Sequence, residues 1–264
     1  MTALNNQALA GKVVLVSGGT QGVGAAAAQR ALQVGAEAVV ITGRSAHKGE
    51  AALDAIDSGR GALIFHQADV SDVAQASGCV DAVIDMFGRV DCVVNCAGLV
   101  TRGSLVDTAP EHFDSHIAIN LRGPFFIMQA TVRHLIERQA PGSIVNISSI
   151  SSHGAQSFLA PYVAAKAGLN ALTKNAAHAH RFDRIRINAL NIGWTATEGE
   201  DVIQRAAHGA TDGWLERAQT QLPMGTLGRP EQIADMIAFL LSDASGVVTG
   251  AVLDWDQIVV GAWD

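Results

Sequence analysis

Seven short runs of this chain are apolar at nearly every position rather than at every second one. They are Lys12-Val13-Val14-Leu15-Val16, Ala38-Val39-Val40-Ile41, Ala62-Leu63-Ile64-Phe65, Cys92-Val93-Val94, Ser143-Ile144-Val145-Asn146-Ile147, Ile185-Arg186-Ile187-Asn188 and Val247-Val248. A strand of that kind needs both faces covered, which a parallel sheet between two helix layers provides. Ala-rich stretches of helical period fill the intervals, near 22–34, 46–57, 72–86, 110–137, 160–180 and 230–242. Gly35 and Gly88 stand where helix stops belong, and Ser71-Asp72 and Pro230-Glu231 where helix starts belong. Each crossover is about one helix long, so the pattern predicts a doubly wound α/β fold. With 264 residues, 48% hydrophobic and 16% charged, and no repeat of fixed period or linker-like shift, residues 1–264 read as a single domain.

Several classes of protein are excluded on this reading. No apolar run approaches the roughly 18 residues that cross a bilayer. Met1 to Leu9 is polar and lacks the basic start and apolar stretch of a secretory signal, so a cytoplasmic location is expected. Cys79, Cys92 and Cys96 are too few and too irregularly spaced for a disulfide framework and read as buried thiols. A net charge of −7 with four lysines offers no basic field for a phosphate backbone, so no nucleic-acid partner is expected. The nine histidines show no ligand spacing: His178 and His180, at i and i+2, do not share a helix face, and no metal is expected.

Directly after the first strand comes Ser17-Gly18-Gly19-Thr20-Gln21-Gly22-Val23-Gly24, followed by an Ala-rich helix. Glycines at this spacing let the backbone turn sharply beside a pyrophosphate, while the N–H groups and dipole of the helix start attract its charge. Glycines kept for packing alone would be the alternative, at an entropic cost for three of them. Gly18, Thr20, Gln21, Gly22, Val23 and Gly24 are therefore candidate dinucleotide ligands. The second strand ends Ile41-Thr42-Gly43-Arg44-Ser45, with no carboxylate before Glu50 to hold ribose hydroxyls. Arg44 with Ser45 suits a 2′-phosphate instead, which favours NADP over NAD. At the end of the third strand, Asp69-Val70 has two readings: a partner for the adenine amino group, or a turn capping the next helix.

Tyr162 is the only tyrosine in the chain, and Lys166 follows it at i+4, on the same face of a helix. A phenol has an ordinary pKa of about 10, so an adjacent ammonium that favours phenolate would tune it for proton transfer. Ser149 lies thirteen residues before Tyr162, at the end of the fifth strand, where side chains emerge into the crevice at the carboxyl edge of the sheet. Its hydroxyl can hold a carbonyl or alcohol oxygen. Taken singly, the pair reads better as a surface pair on a helix, and Ser149 as one turn residue among Ser148, Ser151 and Ser152.

Taken together, these residues resemble the short-chain dehydrogenase/reductase family over nearly the whole chain. Its T-G-x-x-x-G-x-G is matched by Ser17 to Gly24, its N-N-A-G by Asn95-Cys96-Ala97-Gly98, and its Y-x-x-x-K by Tyr162 to Lys166, in order and at family spacing. The resemblance implies a Rossmann-type, seven-stranded parallel sheet with helices on both faces. It also implies hydride transfer between nicotinamide C4 and a carbonyl or secondary alcohol. Tyr162 would be the general acid/base, and Lys166 would lower its pKa and bond the nicotinamide ribose. Ser149 would orient the substrate oxygen, and Asn120 would position the water of a proton relay. Asn95, Ala97 and Gly98 would line the cofactor crevice and brace the sheet. A homotetramer, with a dimer as the alternative, would pair helices 110–137 and 160–180, where Ala164, Ala165, Ala167 and Ala171 allow close approach.

The chain departs from the family in two places. After the sixth strand the usual Pro-Gly is Ile192-Gly193, although Thr197 matches the family threonine. Near the end, V-D-G-G has become Leu253-Asp254-Trp255-Asp256; if this tail packs at a subunit contact, Trp255, Trp263 and Asp264 would reach a neighbouring site, and otherwise it only caps the seventh strand. Residues 195–228 form a long excursion, read as a substrate-side lid. Ser151, Trp194 and Glu198 are the candidate substrate contacts, and Trp194 and Trp214 with Glu198, Glu200 and Asp201 would suit a sugar or polyol. The leading expectation is an NADP-dependent carbonyl reductase or alcohol dehydrogenase. An NAD-dependent sugar or polyol dehydrogenase and a non-catalytic cofactor-sensing protein are the alternatives.

Overall fold

The computed structural model describes residues 5–59, 61–154 and 156–262. Its strands are β1 (Val13–Ser17), β2 (Ala38–Gly43), β3 (Ala62–Gln67), β4 (Cys92–Asn95), β5 (Gly142–Ser149), β6 (Ile185–Ile192) and β7 (Val252–Trp255). They form one parallel sheet in the order β3-β2-β1-β4-β5-β6-β7. The order reverses between β1 and β4, and in sheets of this kind the crevice beyond the carboxyl ends at that reversal is where a ligand binds. Among the described residues no helix is long and apolar enough to cross a membrane.

The uniformly apolar strands are explained by the two cores they feed. Val14, Val16, Val39, Ile41, Val94 and Val145 face one layer, while Val13, Leu15, Ala38, Val40, Val93 and Ile144 face the other. The first layer holds α1 (Gly22–Gln33), α2 (Ala46–Ala55) and α9 (Pro230–Leu241), and the second holds α3 (Val73–Phe87), α5 (Gly123–Glu137) and α6 (Ala160–His180). Each fully buried Val, Leu or Ile contributes about 1.5–3 kcal/mol, which is why strands that serve two cores are apolar at most positions. Cys92 sits in the first core and Cys79 in the second, Cys96 is half-buried, and all three thiols are free. Burial pushes them up, to about 12 for Cys92 and about 11 for Cys79 and Cys96.

Three details differ from the sequence reading. The expected seventh strand at Val247-Val248 is a loop, and β7 begins at Val252. The carbonyl of Val248 is taken by the Asn188 side chain and the Thr249 hydroxyl takes the N–H of Ile187, so the chain is tied to β6 side-on and turns at Gly250 before it can pair. The expected helix over 110–137 is α4 (Pro110–Ile117) and α5 joined by a π turn over Ala118–Arg122. The excursion over 195–228 is mostly helical, with α7 (Glu198–His208) and α8 (Trp214–Gln219). Its ends meet where Thr195 bridges Gly228.

Candidate active site

The turn after β1 lies at the carboxyl edge of the sheet. Gly18 has a φ of +74°, and a Cβ there would lie 2.5 Å from the backbone of Ala97, so the glycine turn is seated directly on the Asn95–Gly98 segment. Gln21 caps the start of α1 without a side-chain hydrogen bond, which leaves the N–H groups of Gly22, Val23 and Gly24 unserved by a cap. Thr20 packs beside Gly43, and Thr197 lies over Gly22, its methyl 3.4 Å from where a Cβ on that glycine would sit. A pyrophosphate therefore has a cradle of free N–H groups with Thr197 as its cover.

Arg44 is exposed at the end of β2 and, with Gln67, Asp69 and Gln75, lines a cavity of about 420 Å³. Ser45 accepts from the N–H of Lys48 and so caps α2. Lys48 itself was not anticipated: its Nζ donates to Gln21 Oε1 at 2.7 Å, adding a second cation at this edge. The i+4 spacing of Arg44 and Lys48 was the signal. Asp69 accepts from Ser71 N–H at 2.9 Å in a local turn, and Asp72 rather than Asp69 caps α3. Val70 is buried under Gly123, where a Cβ would stand 2.5 Å from the Val70 carbonyl oxygen.

Behind the crevice, Asn95 donates to Asn146 at 2.8 Å and Asn146 to Thr173 at 2.9 Å, which braces β4 and β5 against α6. Asn120 falls in the π turn, where the helix widens. Its Oδ1 accepts from Leu99 N–H at 3.0 Å and its Nδ2 donates to Leu99 carbonyl at 2.9 Å, clasping the loop after Gly98. His116, which no sequence argument selected, is 0% exposed and completes this cluster. It lies 3.1 Å from Thr101 Oγ1 and edge-on to the Tyr162 ring, with centroids 6.2 Å apart. Its i−4 spacing from Asn120 was the available clue.

Ser149 ends β5, buried, and its hydroxyl accepts from Ser151 N–H at 3.1 Å. Tyr162 and Lys166 share the first turns of α6, with Nζ 5.7 Å from the ring centroid. Burial is the largest influence on both groups of the pair. Burial pushes Tyr162 up to about 12, with Ser149 pulling it down, Cys96 and Glu200 raising it further and Arg102 lowering it. Lys166 has turned its Nζ to the carbonyl of Ile147, at 2.7 Å, and burial pushes it down to about 8. Desolvation disfavours the charged form of each group, raising the phenol and lowering the amine.

On the substrate side, Ser151 is buried and donates to Gln156 at 2.6 Å, so its hydroxyl is committed to its own loop. Glu198 stands exposed on the first turn of α7 and makes no hydrogen bond among the described residues. Trp194 is 37% exposed and stacks on Trp214, with centroids 6.0 Å apart. Two of the three acids expected to hold a polyol are engaged within the excursion and its entry: Glu200 accepts from Trp194 and Gln204, and Asp201 from Trp214 and Arg205. Gly193 follows β6, and a Cβ there would collide with the carboxylate of Asp256. Trp255 does not reach outward; it pairs with Ile192 and packs over Gly228 within its own chain. Trp263 and Asp264 lie outside the described residues.

A family model described as enoyl-(acyl carrier protein) reductase matches residues 18–257. The NADP-dependent (R)-specific alcohol dehydrogenase of Lentilactobacillus kefiri is 36% identical, over 92% of this chain and 94% of that protein. The trans-4-hydroxycyclohexanecarboxylate dehydrogenase of Sinomonas cyclohexanicum is also 36% identical, over 94% of this chain and 92% of that protein. The solved structure of an actinorhodin polyketide ketoreductase variant with NADPH is similar at a TM-score of 0.87 and 26% identity, covering 94% of this chain and 96% of that one. Sheet order, motif placement and these likenesses agree: the chain belongs to the short-chain dehydrogenase/reductase family, nicotinamide-dependent oxidoreductases acting on alcohol and carbonyl groups.

Proposed function

We propose that this chain is an NADP-dependent carbonyl reductase or alcohol dehydrogenase in which Tyr162 is the general acid/base. The observation that carries the reading is the convergence, at the carboxyl edge of the sheet, of the half-buried Tyr162 phenol, the Ser149 hydroxyl and the buried Lys166 amine. The glycine cradle, the uncapped start of α1 and the covering Thr197 fit a dinucleotide pyrophosphate. Gly18, Thr20, Gln21, Gly22, Val23, Gly24, Asn95, Ala97, Gly98, Gly193 and Thr197 would hold the dinucleotide, with Asp69 and Val70 at its adenine end. When bound, the nicotinamide supplies or accepts the hydride.

The chain's own part is to hold the substrate and move its proton. Ser149 offers its hydroxyl to the substrate oxygen, and Tyr162 donates its proton to that oxygen in reduction, while in oxidation its phenolate accepts the proton of the substrate hydroxyl. Lys166, charged below about pH 8, stabilises the phenolate left behind and bonds the ribose. Asn120 keeps the loop at Leu99 in place and supports a water relay behind the lysine. Arg44 and Lys48, two cations at an edge where β2 ends without a carboxylate, support NADP over NAD. Titration with NADPH and NADH, read by nicotinamide fluorescence and followed by a ketone and alcohol panel, tests the reading. Preferential NADH binding, or tight binding with no turnover, would overturn it.

The remaining expectations take the same form. Residues 195–228 act as one lid whose indoles and acids bind each other, so it moves as a unit. The chain assembles as a homotetramer through α4, α5 and α6, supported by half-exposed Phe113 and Phe125 and by outward-facing Ala164, Ala167 and Ala171. Ala165 is buried in its own subunit and takes no part. Three unpaired thiols support a reducing, cytoplasmic setting.

A further inference from the structure

Arg102 belongs to the loop after β4, and that loop is fastened to the entry of α6. Gly103 accepts from Ala160 N–H at 2.9 Å and donates to Phe158 carbonyl at 2.8 Å, two residues and four residues before Tyr162. The Arg102 charge accordingly acts on the Tyr162 phenol. The guanidinium is half-buried, stacks over Phe158 at 5.3 Å, and takes part in none of the ion pairs among the described residues.

Its donors can be counted. Nε and Nη2 both reach His208 Nε2, at 3.0 and 2.9 Å, and Nη1 donates to Val100 carbonyl at 3.0 Å. A guanidinium has five N–H groups, so one remains on each terminal nitrogen, the pair that matches the two oxygens of a carboxylate. Neither of the two partners, His208 and the Val100 carbonyl, is a carboxylate, so no ion pair compensates the charge among the described residues. Arg102 and Phe158 line a cavity of about 420 Å³ with Ser104, Thr108 and His112. The acid on the same wall, Asp107, has its Oδ1 taken by Ser104 N–H and hydroxyl, at 2.7 and 2.6 Å. Its remaining charge disfavours a dianion such as a phosphate monoester and tolerates a single negative charge held in the fork.

We propose that Arg102 is the anion-recognition residue of the substrate site, and that the substrate is a carbonyl or alcohol compound carrying a carboxylate, which the free end of the Arg102 fork takes in two parallel hydrogen bonds. The substrate class rests on the reading of Tyr162 as the proton donor. His208 and Phe158 position the guanidinium, and since His208 ends α7, the arginine that meets the carboxylate is also bonded to the helical excursion above the crevice.

The test compares oxo-carboxylic acids of graded length with their methyl esters and with matched phosphate monoesters, using NADPH and the full-length chain. The wild type should prefer acid to ester by roughly 10- to 100-fold in kcat/KM, carried by KM, with the phosphate weaker than the acid. In Arg102→Gln that ratio falls to about one, and in Arg102→Lys, which keeps the charge and loses the fork, it lies between. An ester preferred by the wild type, a phosphate preferred to the acid, or a ratio untouched in both variants overturns the assignment. Calorimetric titration with a saturated carboxylate that has no carbonyl separates the two readings. Binding to the wild type and not to Arg102→Gln, in the absence of any ketone turnover, means that the reductase reading has failed and the anion site stands. No binding to the wild type removes the anion site.

Discussion

His116 Nδ1 takes a hydrogen bond from Asn120 Nδ2 at 3.3 Å, across one turn of the helical stretch that carries both. The amide of Asn120 is already oriented by its two bonds to the Leu99 backbone, so the imidazole must accept at Nδ1 and donate its Nε2–H to Thr101. A buried histidine is thereby held in one neutral tautomer beside Tyr162.

That neutrality has a pH signature. Burial, helped by neighbouring His112, pushes His116 down to about 4, so between about pH 6.5 and 4 the unfolded chain binds a proton that the folded chain refuses. Stability is complete above the unfolded value and falls as the pH drops through this window, by up to about 3 kcal/mol. Urea unfolding at about pH 7 and pH 4 should show wild type losing that much more than His116→Gln. Equal losses would mean that the folded protein takes up the His116 proton as readily as the unfolded chain does.

Tyr162→Phe removes the proton donor and keeps the ring that packs against His116. Turnover should fall by roughly 10²- to 10⁴-fold, the range for loss of a positioned acid/base, while NADPH still binds as judged by nicotinamide fluorescence. Retained turnover would assign the proton to another group.

The rate of reduction should be level through neutral pH and decline as the pH rises through about 8. Lys166 loses its charge there, whereas Tyr162 keeps its proton to about 12. A kcat profile at saturating NADPH checks this, and a level profile to about pH 10 would show that the lysine charge is not needed.

Arg44→Ala should weaken NADPH binding by roughly 10- to 100-fold, the scale of a charge-assisted phosphate contact, and leave NADH binding within about twofold. Parallel fluorescence titrations with the two nucleotides decide it. Equal loss for both would move Arg44 from the 2′-phosphate to a contact that the two nucleotides share.

Gly193→Ala should destabilise the protein by about 1–3 kcal/mol, since the added methyl drives into the Asp256 carboxylate. The double variant Gly193→Ala with Asp256→Gly should recover most of that loss. Additive losses in denaturant melts would place the strain elsewhere.

The sequence by itself determined what depends on local spacing. Strands apolar at every position must serve two cores, and residues such as Val14 and Leu15 do alternate between them. A phenol and an amine at i+4 must share a helix face, and Tyr162 and Lys166 do. The glycine turn had to follow β1 and open α1. Periods of two and 3.6 residues are properties of the backbone, so they can be read without the fold.

Only the tertiary structure decided what depends on distant partners or on exclusion of water. Val247-Val248 has the composition of a strand, yet side chains of β6 and the turn seize its place and pairing begins at Val252. Glu200 and Asp201 of α7 look available in the sequence and are engaged by the indoles of Trp194 and Trp214 in the fold. Arg102 acquires its geometry from Phe158 and from His208, 106 residues away, which leaves no periodic trace. The charge state of Tyr162 is the sharpest case. Spacing places an amine beside it, while burial, which no spacing encodes, pushes the phenol up and the amine down.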